Sequence, residues 1–238
     1  MQKELQIKTD DGHNIDGVLD SKIKEDKLII FVHGLTGHKN EHHFFNGAKY
    51  FTEEGFDTFR FNLYSGGRNC RRLRSCTLRA HSNDLEVVLE YFKDKYEEIF
   101  LVGHSLGGPT ILQSNHKCAK AVVLWDPSYR IMDSLGDDLK FNKELDLYLI
   151  DWGVEYLVSK KMIEEWKVMP DTLINGFTKP TKIICAGKEI VKGMWEKNIS
   201  KIKVRNEFMI IDNAGHVFNE EAVEEKLFEE TLMWFKGD

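Results

Sequence analysis

Three continuous apolar runs of strand length, Leu28–Val32, Ile99–Val102 and Ala121–Trp125, constrain this chain most. A strand with one wet face alternates apolar and polar residues, so an unbroken run marks a strand covered on both faces. Lys182–Ala186 and Phe208–Ile211 repeat the pattern, and Phe56–Phe61 predicts a further strand. Helical periodicity lies between them. His42–Glu54 predicts a helix stopped by Gly55. In Ser82–Tyr96 the residues Leu85, Val88, Leu89 and Phe92 fall on one face, and in Glu220–Phe235 so do Val223, Leu227 and Trp234. Leu5–Thr9 and Asn14–Leu19, joined through Asp11-Gly12, predict an N-terminal hairpin. Strands alternating with helices imply an α/β fold, with a mostly parallel sheet and helices on both faces.

The alternation lapses over about 127–178. There Leu145, Leu149, Trp152, Tyr156 and Leu157 recur at helical spacing and predict a small helical cap insertion. The expected organisation is one domain over 1–238 with this cap inserted, since 238 residues suit a single α/β unit. A net charge of −6 counts against a nucleic-acid partner. No apolar run approaches the ~18 residues of a membrane span, so no stable membrane insertion is expected. Met1-Gln2-Lys3-Glu4 leads into no apolar signal core, which makes the cytoplasm the expected location. Of four cysteines, Cys118 and Cys185 are expected to be buried thiols. Cys70 and Cys76 flank an arginine-rich stretch and are the one candidate pair, although a reducing compartment favours free thiols.

Gly103-His104-Ser105-Leu106-Gly107 matches G-x-S-x-G and stands directly between a buried strand and a helix. A serine exposed on so sharp a turn needs small residues two before and two after it. A serine hydroxyl is a weak nucleophile and requires a base. His216 follows the last apolar strand, which puts it at the same sheet edge as Ser105. An oxyanion hole needs two backbone N–H groups. Leu106, next to the nucleophile, supplies one, and Leu35 in His33-Gly34-Leu35-Thr36-Gly37 is expected to supply the other. His33 is expected to brace that loop.

Taken in this order, His33-Gly34, Gly103–Gly108 and Gly215-His216 resemble the α/β-hydrolase superfamily over nearly the whole chain. His33–His38, together with the insertion ahead of Lys179-Pro180-Thr181, resembles its cinnamoyl/feruloyl esterase-like and monoacylglycerol-lipase-like branch. The resemblance implies an α/β-hydrolase fold and a Ser-His-acid triad with the acid after the strand preceding the histidine. No aspartate occupies that place, and Glu189 is the nearest carboxylate. Asp126, at the end of the strand 121–125, is the alternative, because some members of the superfamily carry their acid there.

The resulting expectation is a serine hydrolase that cleaves a small-molecule carboxylic ester through an acyl-enzyme. Thioesters and amides use the same apparatus. Short or aromatic acyl groups are expected, since the insertion is modest and rich in Trp, Tyr and Leu. An acyltransferase on the same triad, or a non-catalytic binding protein on this scaffold, are the competing functions. Arg71, Arg72 and Arg74 are candidate contacts for an anionic substrate, weighed against an ordinary solvated loop. His38, His42 and His43 have only Glu41 beside them, which is too little for a metal framework, so neither metal nor cofactor is expected.

Overall fold

A computed structural model describes residues 1–23 and 26–237. Eight strands form the central sheet: β1 (Gln2–Lys8), β2 (Asn14–Asp20), β3 (Lys27–Val32), β4 (Asp57–Phe61), β5 (Glu98–His104), β6 (Ala119–Trp125), β10 (Thr181–Ala186) and β11 (Asn206–Ile211). Their spatial order is β1-β2-β4-β3-β5-β6-β10-β11. Strand β2 alone runs antiparallel to the rest, pairing with β1 on one side and β4 on the other, and the other six strands are mutually parallel. The predicted mostly parallel sheet is therefore present.

The continuous runs are buried on both sides, as their composition requires. Along β3, Leu28, Ile30 and Val32 enter one core, while Ile29 and Phe31 enter another across the sheet. Helix α2 (Leu78–Phe92) packs Leu85, Val88, Leu89 and Phe92 into the first core. Helices α1 (His42–Glu53) and α7 (Val223–Lys236) cover the opposite face, with Val223, Leu227 and Trp234 directed inward. Helix α3 (Gly107–Leu112) starts directly after the serine turn.

The insertion differs from the sequence expectation. Helices α4 (Ile131–Leu135) and α5 (Lys160–Leu173) are present. Between them, however, β7 (Leu139–Asn142), β8 (Leu147–Asp151) and β9 (Glu155–Val158) form a separate antiparallel sheet. Leu149, Tyr156 and Leu157 lie on its strands, not on one helix face. Asp146 (φ 56°) and Gly153 (φ 80°) turn the chain on either side of β8 in the left-handed region, where no helix can run through. Helix α6 (Val191–Glu196) follows β10. All four cysteines are free, so Cys70 and Cys76 form no disulfide, and Cys118 is exposed where a buried thiol was expected.

Candidate active site

Loops leaving the C-terminal ends of β3, β5, β6 and β11 converge at one sheet edge, where open parallel sheets place their ligands. Ser105 tops β5 with φ 51°, a left-handed conformation that costs a non-glycine residue on the order of 1 kcal/mol. The packing around the turn holds it there. A Cβ on Gly107 would lie 2.0 Å from the Val32 carbonyl oxygen, and one on Gly103 would lie 2.8 Å from the Gly107 backbone. The two motif glycines thus let β3, β5 and α3 approach closely enough to push Ser105 outward. Ser105, His216 and Asp126 all line one cavity of about 610 Å³.

His216 is bound to a carboxylate, and that carboxylate is Asp126: His216 Nδ1 lies 2.5 Å from Asp126 Oδ2. Asp126 is fully buried, and its Oδ1 accepts the Ala186 N–H at 3.0 Å, which fixes the carboxylate plane. Glu189 stands elsewhere. Its Oε1 accepts the backbone N–H of His216 at 3.3 Å, not a ring hydrogen, so the sequence's preference for Glu189 as ring partner is corrected in favour of Asp126. The physical reason is the turn at Asp126, since in the sheet β10, not β6, lies beside β11. Strand β6 flanks β10, and Asp126, in a left-handed turn (φ 41°), reaches across to the β11 loop. Burial works against the charged imidazole of His216. The Asp126 hydrogen bond and the negative charges of Asp126, Glu189 and Glu41 outweigh it, and its pKa is raised above the ordinary value. Although the ring sits in the cleft, its side chain remains 43% exposed, consistent with a group open to a substrate cavity.

Ser105 Oγ lies 3.4 Å from Ser128 Oγ. Among the described residues it makes no hydrogen bond to His216, a contact that often tightens only when substrate arrives. Leu35 lines the cavity, and its N–H and that of Leu106 enter no loop or turn hydrogen bond of the described backbone. His33 braces the Leu35 loop: Nδ1 donates to the Gly34 carbonyl at 2.8 Å and Nε2 accepts the Leu63 N–H at 3.0 Å. Burial lowers its pKa to about 4, so it stays neutral and keeps that tautomer.

The arginine stretch is elsewhere. Arg71 is clamped by Asp84 (2.6 Å) and Asp11 (2.9 Å), and Arg72 donates to the Ser65 carbonyl. Neither these two nor Arg74 lines the cavity, so the anionic-substrate reading of Arg71, Arg72 and Arg74 is withdrawn; Arg130 is the arginine found at the cavity wall. Sequence reasoning missed Arg130, Ser128 and Tyr129, which follow Asp126-Pro127 and enter the site because the insertion begins there.

Sheet order and nucleophile turn together define an α/β-hydrolase fold. Residues 23–174 match the family described as serine aminopeptidase, S33, and the chain belongs to that family. No curated protein matches it in sequence. Among solved structures, Est1E from Butyrivibrio proteoclasticus with bound ferulic acid is similar at 21% identity and a TM-score of 0.82, covering 98% of each chain. The α/β hydrolase GrgF from Penicillium sp. sh18 is similar at 16% identity and a TM-score of 0.79, covering 100% of this chain and 98% of its own. The Pyrococcus furiosus esterase Pf2001 is similar at 19% identity and a TM-score of 0.71, covering 100% and 92% respectively. Among the described residues, no helix is long and apolar enough to cross a membrane.

Proposed function

We propose that this protein is a carboxylesterase working through Ser105, His216 and Asp126. The observation that carries the reading is the 2.5 Å contact between His216 Nδ1 and buried Asp126, in the cavity that Ser105 enters on a strained turn. An Nδ1–H held by Asp126 leaves Nε2 bare, which is the tautomer a general base needs. After the Ser105 side chain rotates away from Ser128, His216 takes its proton as Oγ attacks the ester carbonyl. The Leu35 and Leu106 N–H groups receive the oxyanion. His216 then protonates the leaving alcohol. Water, deprotonated by the same ring, attacks the acyl-enzyme and releases the acid and free Ser105.

Tyr129, Ile131, Trp152 and Met194 give the cavity an apolar wall of a size that supports short or aromatic acyl groups. The ferulic acid bound by Est1E is in keeping with that choice. Four free cysteines agree with a reducing compartment such as the cytoplasm. A paired His216–Asp126 supports catalysis over a purely binding role. Labelling with a fluorophosphonate tests the proposal directly. The wild-type chain should label at one serine and Ser105→Ala should not; equal labelling of the two would refute the assignment.

A further inference from the structure

Behind His216 lies a second group of side chains that the ester chemistry does not use. Glu41 leads into α1, His43 lies in its first turn, and His104 ends β5. One donor atom from each lies within 4.8 Å of the others. These residues are 63 positions apart at their widest, so sequence spacing around His38, His42 and His43 gave no hint that His104 joins Glu41 and His43.

The three share an unusual want of partners. His43 is fully buried against the Val217 backbone, and among the described residues neither of its ring nitrogens has a hydrogen bond of normal geometry. His104 is 3% exposed, and its Nδ1 is unpartnered. Glu41 Oε2 is buried and also unpartnered. Orphaned buried polar groups are costly, and one common partner could take an atom from each of the three residues, relieving three of the four orphaned atoms.

His104 is the most informative. Its Nε2 lies 2.8 Å from the carbonyl oxygen of His216. A carbonyl only accepts, so Nε2 carries the hydrogen and the Nδ1 lone pair is bare. Metal-ligating histidines have this arrangement, with one nitrogen free to ligate and the other anchored on a carbonyl or carboxylate. Both rings are buried, and the bare Nδ1 of His104 offers the lone pair that a ligand needs.

We propose that Glu41, His43 and His104 bind one divalent cation of the zinc class. Two imidazoles and a carboxylate suit Zn²⁺ with an open fourth position. Bonds of about 2.0–2.1 Å put tetrahedral ligand atoms roughly 3.4 Å apart, so the trio closes by about 1.4 Å at most. Glu41 and His104 line the catalytic cavity, which gives the ion its way in and a water its place as fourth ligand. Through the His104–His216 bond, the ion ties the start of α1 to the loop that carries His216.

Calorimetric titration of the untagged, chelator-treated chain with Zn²⁺ at neutral pH tests this. One equivalent should bind with Kd below about 10 µM. At a hundredfold excess over Kd the thermal midpoint should rise by about 5–11 °C. Glu41→Gln and His43→Gln should each weaken binding by at least tenfold, while His216→Ala and the exposed-site variant His42→Ala should bind as the wild type does. Co²⁺ in place of Zn²⁺ should give the strong visible absorption of a four-coordinate ion. Absence of binding up to 100 µM would overturn the proposal. So would binding that survives both Glu41→Gln and His43→Gln, or that is lost in His216→Ala, since the ion would then sit on the surface or on the catalytic histidine.

Discussion

Replacing Asp126 with Asn isolates the contact on which the catalytic reading rests. The two side chains have the same shape, so the bond from the Ala186 N–H to Oδ1 is kept. The amide nitrogen then occupies the position of Oδ2, 2.5 Å from His216 Nδ1. An amide N–H facing Nδ1 forces that nitrogen to accept, and the ring hydrogen moves to Nε2. In that tautomer the ring cannot take the Ser105 proton, and the charge that stabilised the imidazolium is gone as well. The equivalent change in a serine protease costs about 10⁴ in kcat, or about 5.5 kcal/mol. Ester leaving groups are less demanding than amines, so a loss on the order of 10²–10⁴ in kcat is expected here. Glu189→Gln keeps an acceptor for the His216 N–H and loses only a more distant charge, so its loss should stay within about tenfold. Steady-state hydrolysis of a short nitrophenyl ester, with folded fractions matched by circular dichroism, measures both. If Asp126→Asn retains activity to within tenfold while Glu189→Gln falls a hundredfold, the reasoning from the 2.5 Å contact is wrong.

Three further outcomes follow from the same geometry. Because carboxylates raise the His216 pKa above 6.5, and only the neutral ring accepts a proton, kcat/KM should fall as pH drops through a midpoint above that value; Glu189→Gln should move the midpoint to lower pH, and an unmoved midpoint would deny the electrostatic link. Arg71→Ala strands buried Asp84 without its cation and should cost about 3–5 kcal/mol in denaturant unfolding, with KM for both neutral and anionic esters unchanged. A nitrophenyl ester series should peak at short or aromatic acyl groups, and a maximum at long chains would contradict the role given to Tyr129 and Trp152 as a wall that limits length.

The sheet and the serine turn were legible because their signals are local. An unbroken apolar run such as Leu28–Val32 reports burial on both faces, and Gly103 and Gly107 report the crowding at the Ser105 turn. The acid was harder to read because its identity depends on how each loop turns. Asp126 directly follows β6 while Glu189 lies beyond the end of β10, the strand beside β11, yet the left-handed turn at Asp126 and its bond from the Ala186 N–H bring Asp126 to the ring. The cap misled for a different reason. Leu145, Leu149, Trp152 and Tyr156 have helical spacing by coincidence, since two left-handed turns reset the chain between them. The run Leu147–Ile150, bracketed by Asp146 and Gly153, was the signal that favoured a strand.

The two groups to which we assign the reaction rest on supports of unequal firmness. Strand β5, which carries Ser105, is paired on both sides by β3 and β6, whereas β11, which carries His216, is paired among the described residues only with β10. Edge elements open at lower free energy than the centre of a sheet. On gentle warming, β11 and its loop should therefore loosen while the rest of the sheet stays closed, so esterase activity fades before the overall unfolding transition begins. Amide hydrogens of Phe208–Ile211 should accordingly exchange faster than those of Phe100–Val102, and heat would switch the enzyme off through its rim.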